Sequence, residues 1–231
     1  MADTFDFVVV GAGSGGCTVA GRLSEDPKAS VALLDAGGRN DNWVVTTPFA
    51  LVLMVAGNVN NWAFNTVPQK GLNGRIGYQP RGKGLGGSSA INAMVYIRGH
   101  RADYDQWASL GNAGWSFADV LPYFKRAEDN SDFGGEYHGK GGPLAVNKSR
   151  TDNPVQQIFL QAAQEAQFRL REDFNADEHE GLGIYQLTQK NGERCSAARA
   201  YIHPYMGSRA NLRVETHAHA SRILFEGKRA V

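Results

Sequence analysis

Phe5-Asp6-Phe7-Val8-Val9-Val10-Gly11-Ala12-Gly13-Ser14-Gly15-Gly16 decides how the chain folds, together with its continuation to Val31-Ala32-Leu33-Leu34-Asp35-Ala36-Gly37. The first apolar run is short and ends in glycine, so it reads as a strand buried on both faces. Cys17 to Leu23 has helical character, and the second apolar run ends at Asp35. Gly11 permits a tight turn out of the strand. Gly13 lets backbone approach a pyrophosphate, and Gly16 lets the helix pack closely on the strand. The free N–H groups of the helix's first turn suit negative charge. Asp35, about 20 residues after the glycines, can accept hydrogen bonds from a ribose. The stretch therefore points to dinucleotide binding, with NAD or FAD favoured over NADP and no choice between the two. The plainer alternative is a glycine-rich turn with Asp35 as a surface acid, in a chain of 28 glycines.

The 231 residues suffice for one good core, or one and a fraction. Composition is ordinary for a globular protein, with 42% hydrophobic and 20% charged residues. The net charge of +1 gives no electrostatic case for nucleic acid or an anionic membrane. Cys17 and Cys195 make neither a CxxC nor a disulfide framework. Met1-Ala2-Asp3 lacks the basic start of a signal peptide, and a reducing, cytoplasmic setting is expected. The run Phe49 to Ala56 falls far short of the about 20 residues that a membrane span needs.

A second informative stretch covers Arg81 to Gly99. Gly82, Gly84, Gly86 and Gly87, with Ser88 and Ser89, cannot pack a core by themselves. Such backbone is stable only against something flat or anionic, or against other backbone. A flavin and its pyrophosphate are such objects; a long ordered surface loop is the alternative. Gly77 to Lys83 imitates a P-loop, but Gly84 stands where Ser or Thr must reach magnesium.

Elsewhere, Pro48 to Gly57 is expected to be a short buried helix or a lining segment, Trp62 to Val67 extended, and Gly71 to Pro80 turn-rich. Asp103 to Leu110 reads as a helix closed by Gly111. Ser116 and Asp119 mark a helix start, and Pro122 places the main helix near Leu121. Asn153-Pro154 opens a helix with Val155, Ile158, Phe159, Ala162 and Ala166 on one face. Ile184 to Lys190, Asn211 to Thr216 and Ser221 to Phe225 read as strands, the last two as a hairpin or sheet edge, and Ser196 to Tyr201 as a helix. His138 reads as structural. His217 and His219 alternate like metal ligands but lack a carboxylate partner, so they read as a strand face, and no metal is expected.

The stretch Gly82-Lys83-x-Leu85-Gly86-Gly87-Ser88-Ser89-x-Ile91-Asn92, then Tyr96, Gly99 and Asp105, resembles the first signature of the glucose–methanol–choline (GMC) oxidoreductase family. The resemblance continues through the opening glycines, Leu34 to Gly37, Asn61-Trp62, Thr66 to Gln69, Arg98 to Tyr104, Tyr137 to Gly139, Gly141 to Pro143, Asn191-Gly192 and Ser196 to Ala200. Its nearest look is to the choline-dehydrogenase-like branch.

The resemblance implies FAD and oxidation of a small-molecule alcohol by hydride transfer to flavin N5. It leaves the particular alcohol and the electron acceptor open. It implies an α/β fold: an FAD-binding Rossmann-like domain of the glutathione-reductase type with a parallel core sheet. Residues 1–150 and 191–231 would form that domain, and 151–190 a partial substrate-domain segment. Gly11, Gly13, Ser14, Gly15 and Gly16 would serve the pyrophosphate site, and Asp35 with Ala36 the adenosine ribose. Trp62 would belong to the cofactor site. Gly84, Leu85 and Ser88 would line the pyrophosphate and ribityl run. Asn92, Ala93, Met94 and Val95 would lie along the isoalloxazine, and Ala220 would contact adenine. Ile91 stands where some members carry a flavin-linked histidine, so non-covalent FAD is expected there. Family members are more than twice this length. Their second signature and catalytic histidine lie beyond Val231, so a truncated enzyme with no catalytic residue of its own is expected. Such a chain would leave open strand edges and self-associate. An FAD-binding module without turnover is the alternative; an NAD enzyme leaves 82–99 unexplained.

Overall fold

The computed structural model describes residues 4–231; the reading of Met1-Ala2-Asp3 lies outside the described residues. The chain divides into two compact units. One runs to Ala93 and resumes at Gly192–Val231; the other is Met94–Asn191. Residues 94–150 thus share a unit with 151–190.

The first unit is built on a three-stranded parallel sheet. Strand β1 (Phe7–Val10) leads into helix α1 (Ser14–Leu23) and then β2 (Val31–Leu34). Helix α2 (Ala197–Tyr201) and strand β3 (Leu212–Glu215) come from late in the chain. The order is β1-β2-β3, with Phe7 opposite Val31 and Leu212 opposite Val31 from the other side. The central strand takes the most apolar positions: Val31, Ala32 and Leu33 are all buried. β1 does not have the two buried faces expected of it. It is an edge strand, and Val8 is 56% exposed. The periodicity of an all-apolar run does not say whether neighbours exist on both sides.

Helix α1 buries Cys17, Ala20 and Gly21. Gly21 gives α2 its close approach, since a Cβ there would lie 2.7 Å from the Tyr201 carbonyl oxygen. The turn after α1 is tied to β3 by Asn211, whose Nδ2 donates to the carbonyls of Ser24, Asp26 and Ala29 at 3.2, 2.9 and 2.8 Å. Pro48–Ala50 and Leu51–Ala56 are helical as expected, but only Ala50 and Met54 are buried within them. A two-residue antiparallel pairing joins Phe64–Asn65 to Tyr78–Gln79. Residues 217–224 are irregular, contrary to the expected second strand. Only Phe225–Glu226 pairs, with Arg229–Ala230.

In the second unit the sheet order is Val95–Tyr96, Gln186–Leu187, Leu144–Lys148 and Glu128–Asn130, the last pair parallel. The run Ile184 to Lys190, expected as one strand, is two short strands that break at Thr188. There the backbone N–H turns to the Met94 carbonyl at 2.8 Å. The helix Arg101–Ser109 starts two residues before the expected Asp103, because His100 and Asp103 form a capping box. Likewise Phe117–Ala127 starts at its own capping box, Ser116 with Asp119, and Pro122 sits inside the helix. The satisfied first-turn N–H groups outweigh the one hydrogen bond that proline deletes. The helix Pro154–Glu165 is capped by Asn153 as expected. Of its apolar face, Val155, Ile158 and Phe159 are exposed.

This unit is centred on polar groups. Glu128 and Asn130 are fully buried. Glu128 takes Arg98 Nη2 at 2.9 Å and the Gly139 N–H at 2.9 Å on one oxygen, and His138 Nδ1 at 3.0 Å on the other. His138 Nε2 reaches Asp173 at 2.7 Å. Asn130 and Gln186 exchange two hydrogen bonds of 3.0 Å. His138 is thus bound into the interior by two carboxylates.

Candidate functional site

The first unit holds a cleft of about 400 Å³ at the C-terminal ends of β1 and β2. Crevices beyond the strand ends of an open α/β sheet are where ligands bind. The floor is Val10, Gly11, Gly13, Leu34, Asp35 and Ala36. Gly11 has φ +91°, a conformation that suits glycine, and donates its N–H to Leu34 O at 2.8 Å. A Cβ on Gly16 would overlap the Gly11 carbonyl, so helix and turn meet as the sequence requires. Gly13 is the N-cap of α1 and offers no side-chain cap. The first-turn N–H groups, those of Ser14, Gly15 and Gly16 among them, have no partner inside the helix. Free N–H groups of this kind, with the helix dipole behind them, suit negative charge.

Asp35 is buried and used twice. One oxygen accepts from Ala12 N–H and the other from Gly37 N–H, each at 2.8 Å. A carboxylate has about four acceptor positions, so two are left for hydroxyl donors. The carboxylate thereby fixes the glycine turn and still presents oxygen to the cleft.

The second glycine-rich segment closes the cleft from above. Gly86 N–H donates to Ala12 O at 2.7 Å, and Leu85 N–H to Gly38 O at 2.9 Å. Asn40 Nδ2 donates to the carbonyls of Lys83 and Leu85 at 3.2 and 3.1 Å. Gly87 lies on the mouth of α1, where a Cβ would come within 2.7 Å of Gly13 Cα. The two segments, far apart in sequence, meet backbone to backbone.

The remaining wall is aromatic. Trp62 stacks on Phe64 at 5.6 Å, His219 meets the Trp62 ring edgewise at 5.5 Å, and Lys83 Nζ lies 4.5 Å from its centroid. Asn61 aims this wall. Its Nδ2 donates to Met54 O, Gly57 O and Tyr78 Oη, and its Oδ1 accepts from Ala63 and Arg81 N–H. A smaller hollow of about 300 Å³ is lined by Val55, Pro80, Arg81, Ser88, Ile91 and Asn92. It shares Arg81 and Ser88 with the main cleft.

A family model described as GMC oxidoreductase matches residues 5–231. The chain belongs to the GMC oxidoreductase family. It is 45% identical over 236 residues to human mitochondrial choline dehydrogenase, covering 99% of this chain and 40% of that protein. It is 46% identical over 228 residues to the alcohol dehydrogenase [acceptor] of Pseudomonas putida, covering 98% and 41%. A solved FAD-dependent oxidoreductase from Chaetomium thermophilum is similar with a TM-score of 0.89 at 30% identity, covering 99% of this chain and 41% of that one. The chain thus spans about two fifths of the length of the curated relatives it matches.

Within this GMC oxidoreductase chain, Gly11, Gly13, Asp35, Ala36, Trp62, Ser88 and Ala220 line one cleft. Ser14, Gly15 and Gly16 open α1 beside it. Gly84 and Leu85 do not line it. Gly84, at φ +111°, packs on Gly38 and Asn40, and the Leu85 side chain is fully buried. Asn92 and Ala93 are exposed at the end of the first unit. Met94, buried and at φ +63°, and Val95, in the first strand, open the second unit. Arg81, Gly82, Gly87, Phe64, Ala218 and His219, none of them among the expected cofactor-site residues, also line the cleft. For Gly82 and Gly87 the signal was there, in the same glycine run as Gly84. His217 and His219 are not a strand face: β3 ends at Glu215, and His217 has φ +57°. Among the described residues no cluster of three metal-ligating side chains occurs. No described helix is long and apolar enough to cross a membrane.

Proposed function

We propose that this chain binds FAD without a covalent bond and serves an enzyme that oxidises the CH–OH group of a small-molecule alcohol, in the manner of a choline-dehydrogenase-like oxidoreductase. One observation carries the reading. The uncapped start of α1, the Asp35 carboxylate and Gly87 converge on a single cleft with an aromatic wall. The set fits a dinucleotide: N–H groups for the pyrophosphate, carboxylate oxygen for a ribose diol, and rings for a base. The adjoining hollow shares Arg81 and Ser88 with the cleft, which supports a cofactor longer than an adenosine diphosphate.

When bound, FAD supplies the hydride acceptor, N5 of the flavin. The chain's own groups bind and orient. Ile91 has no nucleophilic atom, which supports a non-covalent flavin at that position. Its side chain is buried with Val45, Met54 and Ala90. Of the groups lining the hollow, Arg81 alone is ionisable, and a guanidinium offers donors and no acceptor. Removal of the hydroxyl proton is therefore assigned to no residue of this chain. That observation favours a second reading, an FAD-binding module without turnover. The buried thiols of Cys17 and Cys195 support a reducing cytoplasmic setting.

The test is reconstitution with FAD followed by gel filtration, then anaerobic addition of choline and simple alcohols. Retained yellow colour is the expected result, with no comparable binding of NAD. Bleaching by an alcohol supports the enzyme reading, and retained colour without bleaching the module. A colourless protein would overturn both.

A further inference from the structure

We propose that Arg194 is a positioning residue for the cofactor: it fixes the backbone at Ser89 to Asn92 from behind. The inference rests on the FAD reading above, which places this segment beside the flavin.

Arg194 is among the largest fully buried side chains, at 1% exposure. Among the described residues it has no carboxylate to pair with. Its neighbour Glu193 pairs with Arg199 instead. Burial, with no compensating charge, pushes its pKa down to about 10. Burying an unpaired cation is costly, so its partners must justify it. Those partners are oxygens of two distant segments. Nε donates to Val45 O at 3.0 Å. Nη1 donates to Asn92 O at 2.6 Å, Asn92 Oδ1 at 3.0 Å and Ser89 O at 3.3 Å. Nη2 is buried without a partner.

Geometry explains why these oxygens need a donor. Gly87–Ala90 is a single 3₁₀ turn, and the chain leaves it at Ile91 and Asn92. Carbonyls at the end of a turn lack intrahelical partners. Arg194 supplies donors to both Ser89 O and Asn92 O, so it determines where Asn92 emerges on the hollow. The same late segment grips the turn a second time: Ala197 N–H donates to Ser89 Oγ at 2.9 Å. Residues 194–197 thus form a back plate on which 86–92 is set. A planar fork serves several oxygens in fixed directions; a lysine ammonium at the end of a flexible stem does not.

The test compares Arg194→Lys with a destabilised control, Asn211→Ala, whose lost bonds lie at the α1 turn. Both are reconstituted with FAD well below their melting temperatures. FAD affinity is read by flavin fluorescence, and flavin environment by visible absorbance and circular dichroism. Arg194→Lys is expected to raise the FAD dissociation constant about tenfold, because the loosened residues must be ordered on binding. It should also change the flavin's visible spectrum, while Asn211→Ala leaves both as in the unsubstituted protein. The proposal is overturned if Arg194→Lys matches the unsubstituted protein, or if Asn211→Ala shifts both readouts equally. If the unsubstituted protein takes up no FAD, the functional reading falls as well; if it does and Arg194→Lys matches it, this proposal alone fails.

Discussion

Asp35 and Gly87 show how single residues carry the cleft. Replacing Asp35 by alanine would strand two buried N–H groups, Ala12 and Gly37. At about 1–3 kcal/mol for each unsatisfied group, the loss is large for one substitution. Asp35→Ala is therefore expected to lower the urea midpoint as well as weaken FAD. Asp35→Asn, with one acceptor oxygen in place of two, should fall between. Gly87→Ala puts a methyl against Gly13 Cα at φ +51°. It should cost about 1–3 kcal/mol, as overpacking does. It should also abolish FAD uptake at concentrations that saturate the unsubstituted protein. Gly13→Ala meets no atom within 4 Å in this structure, so in melting experiments it should be nearly silent. Its defect should show only with FAD added.

At the scale of elements, the polar centre of the second unit makes a pH prediction. Burial alone would push His138 down, but its hydrogen bonds to Asp173 and Glu128 more than offset this and lift its pKa from 6.5 to about 9. A raised folded pKa means that the stabilisation is complete below about 6.5 and is lost as pH rises through about 9. The full effect is on the order of 3 kcal/mol. Denaturation of the 94–191 unit, followed by hydrogen exchange, should become easier between these limits, and His138→Gln should flatten the profile. Glu128 carries the opposite sign. Burial opposes its charge, but bonds from His138, Asn130 and Gly139 hold its pKa below the ordinary value, so its contribution is lost in acid. The helix Phe117–Ala127 supplies a cleaner case. Pro122 leaves the Ala118 carbonyl without its i+4 donor, so Pro122→Ala should raise the melting temperature, whereas Ser116→Ala should cost about 1 kcal/mol.

At the scale of the whole molecule, the edge strand β1 and the exposed Val155, Ile158 and Phe159 present apolar surface. Self-association is expected in light scattering, and Val8→Lys should reduce it by charging the edge. A monodisperse protein with and without that substitution would contradict the idea. What the sequence disclosed follows from the range of each interaction. The turn after β1 and the caps at Ser116 and Asn153 depend on neighbours a few residues away, and Asp35 on the fixed length of a strand–helix–strand unit, so they were legible. The exposure of β1 depends on strand order, which no local pattern encodes. Pro122 was misplaced because two local rules conflicted, and the capping box prevailed. Gly84 and Gly87 are indistinguishable in a string of glycines; only packing shows that one faces Asn40 and the other Gly13. Arg194 carried no signal, because its partners are oxygens about a hundred residues away.

The bonds from Asn211 to the turn after α1 span as many as 187 residues. A ribosome adding 5–20 residues per second needs roughly ten to forty seconds to cover such a distance. For that interval a nascent chain carries the glycine turn and β2 but not β3, which is to lie beside them. The sheet is begun early and finished late, so during translation its first two strands must wait, shielded or at risk, for the strand that completes it.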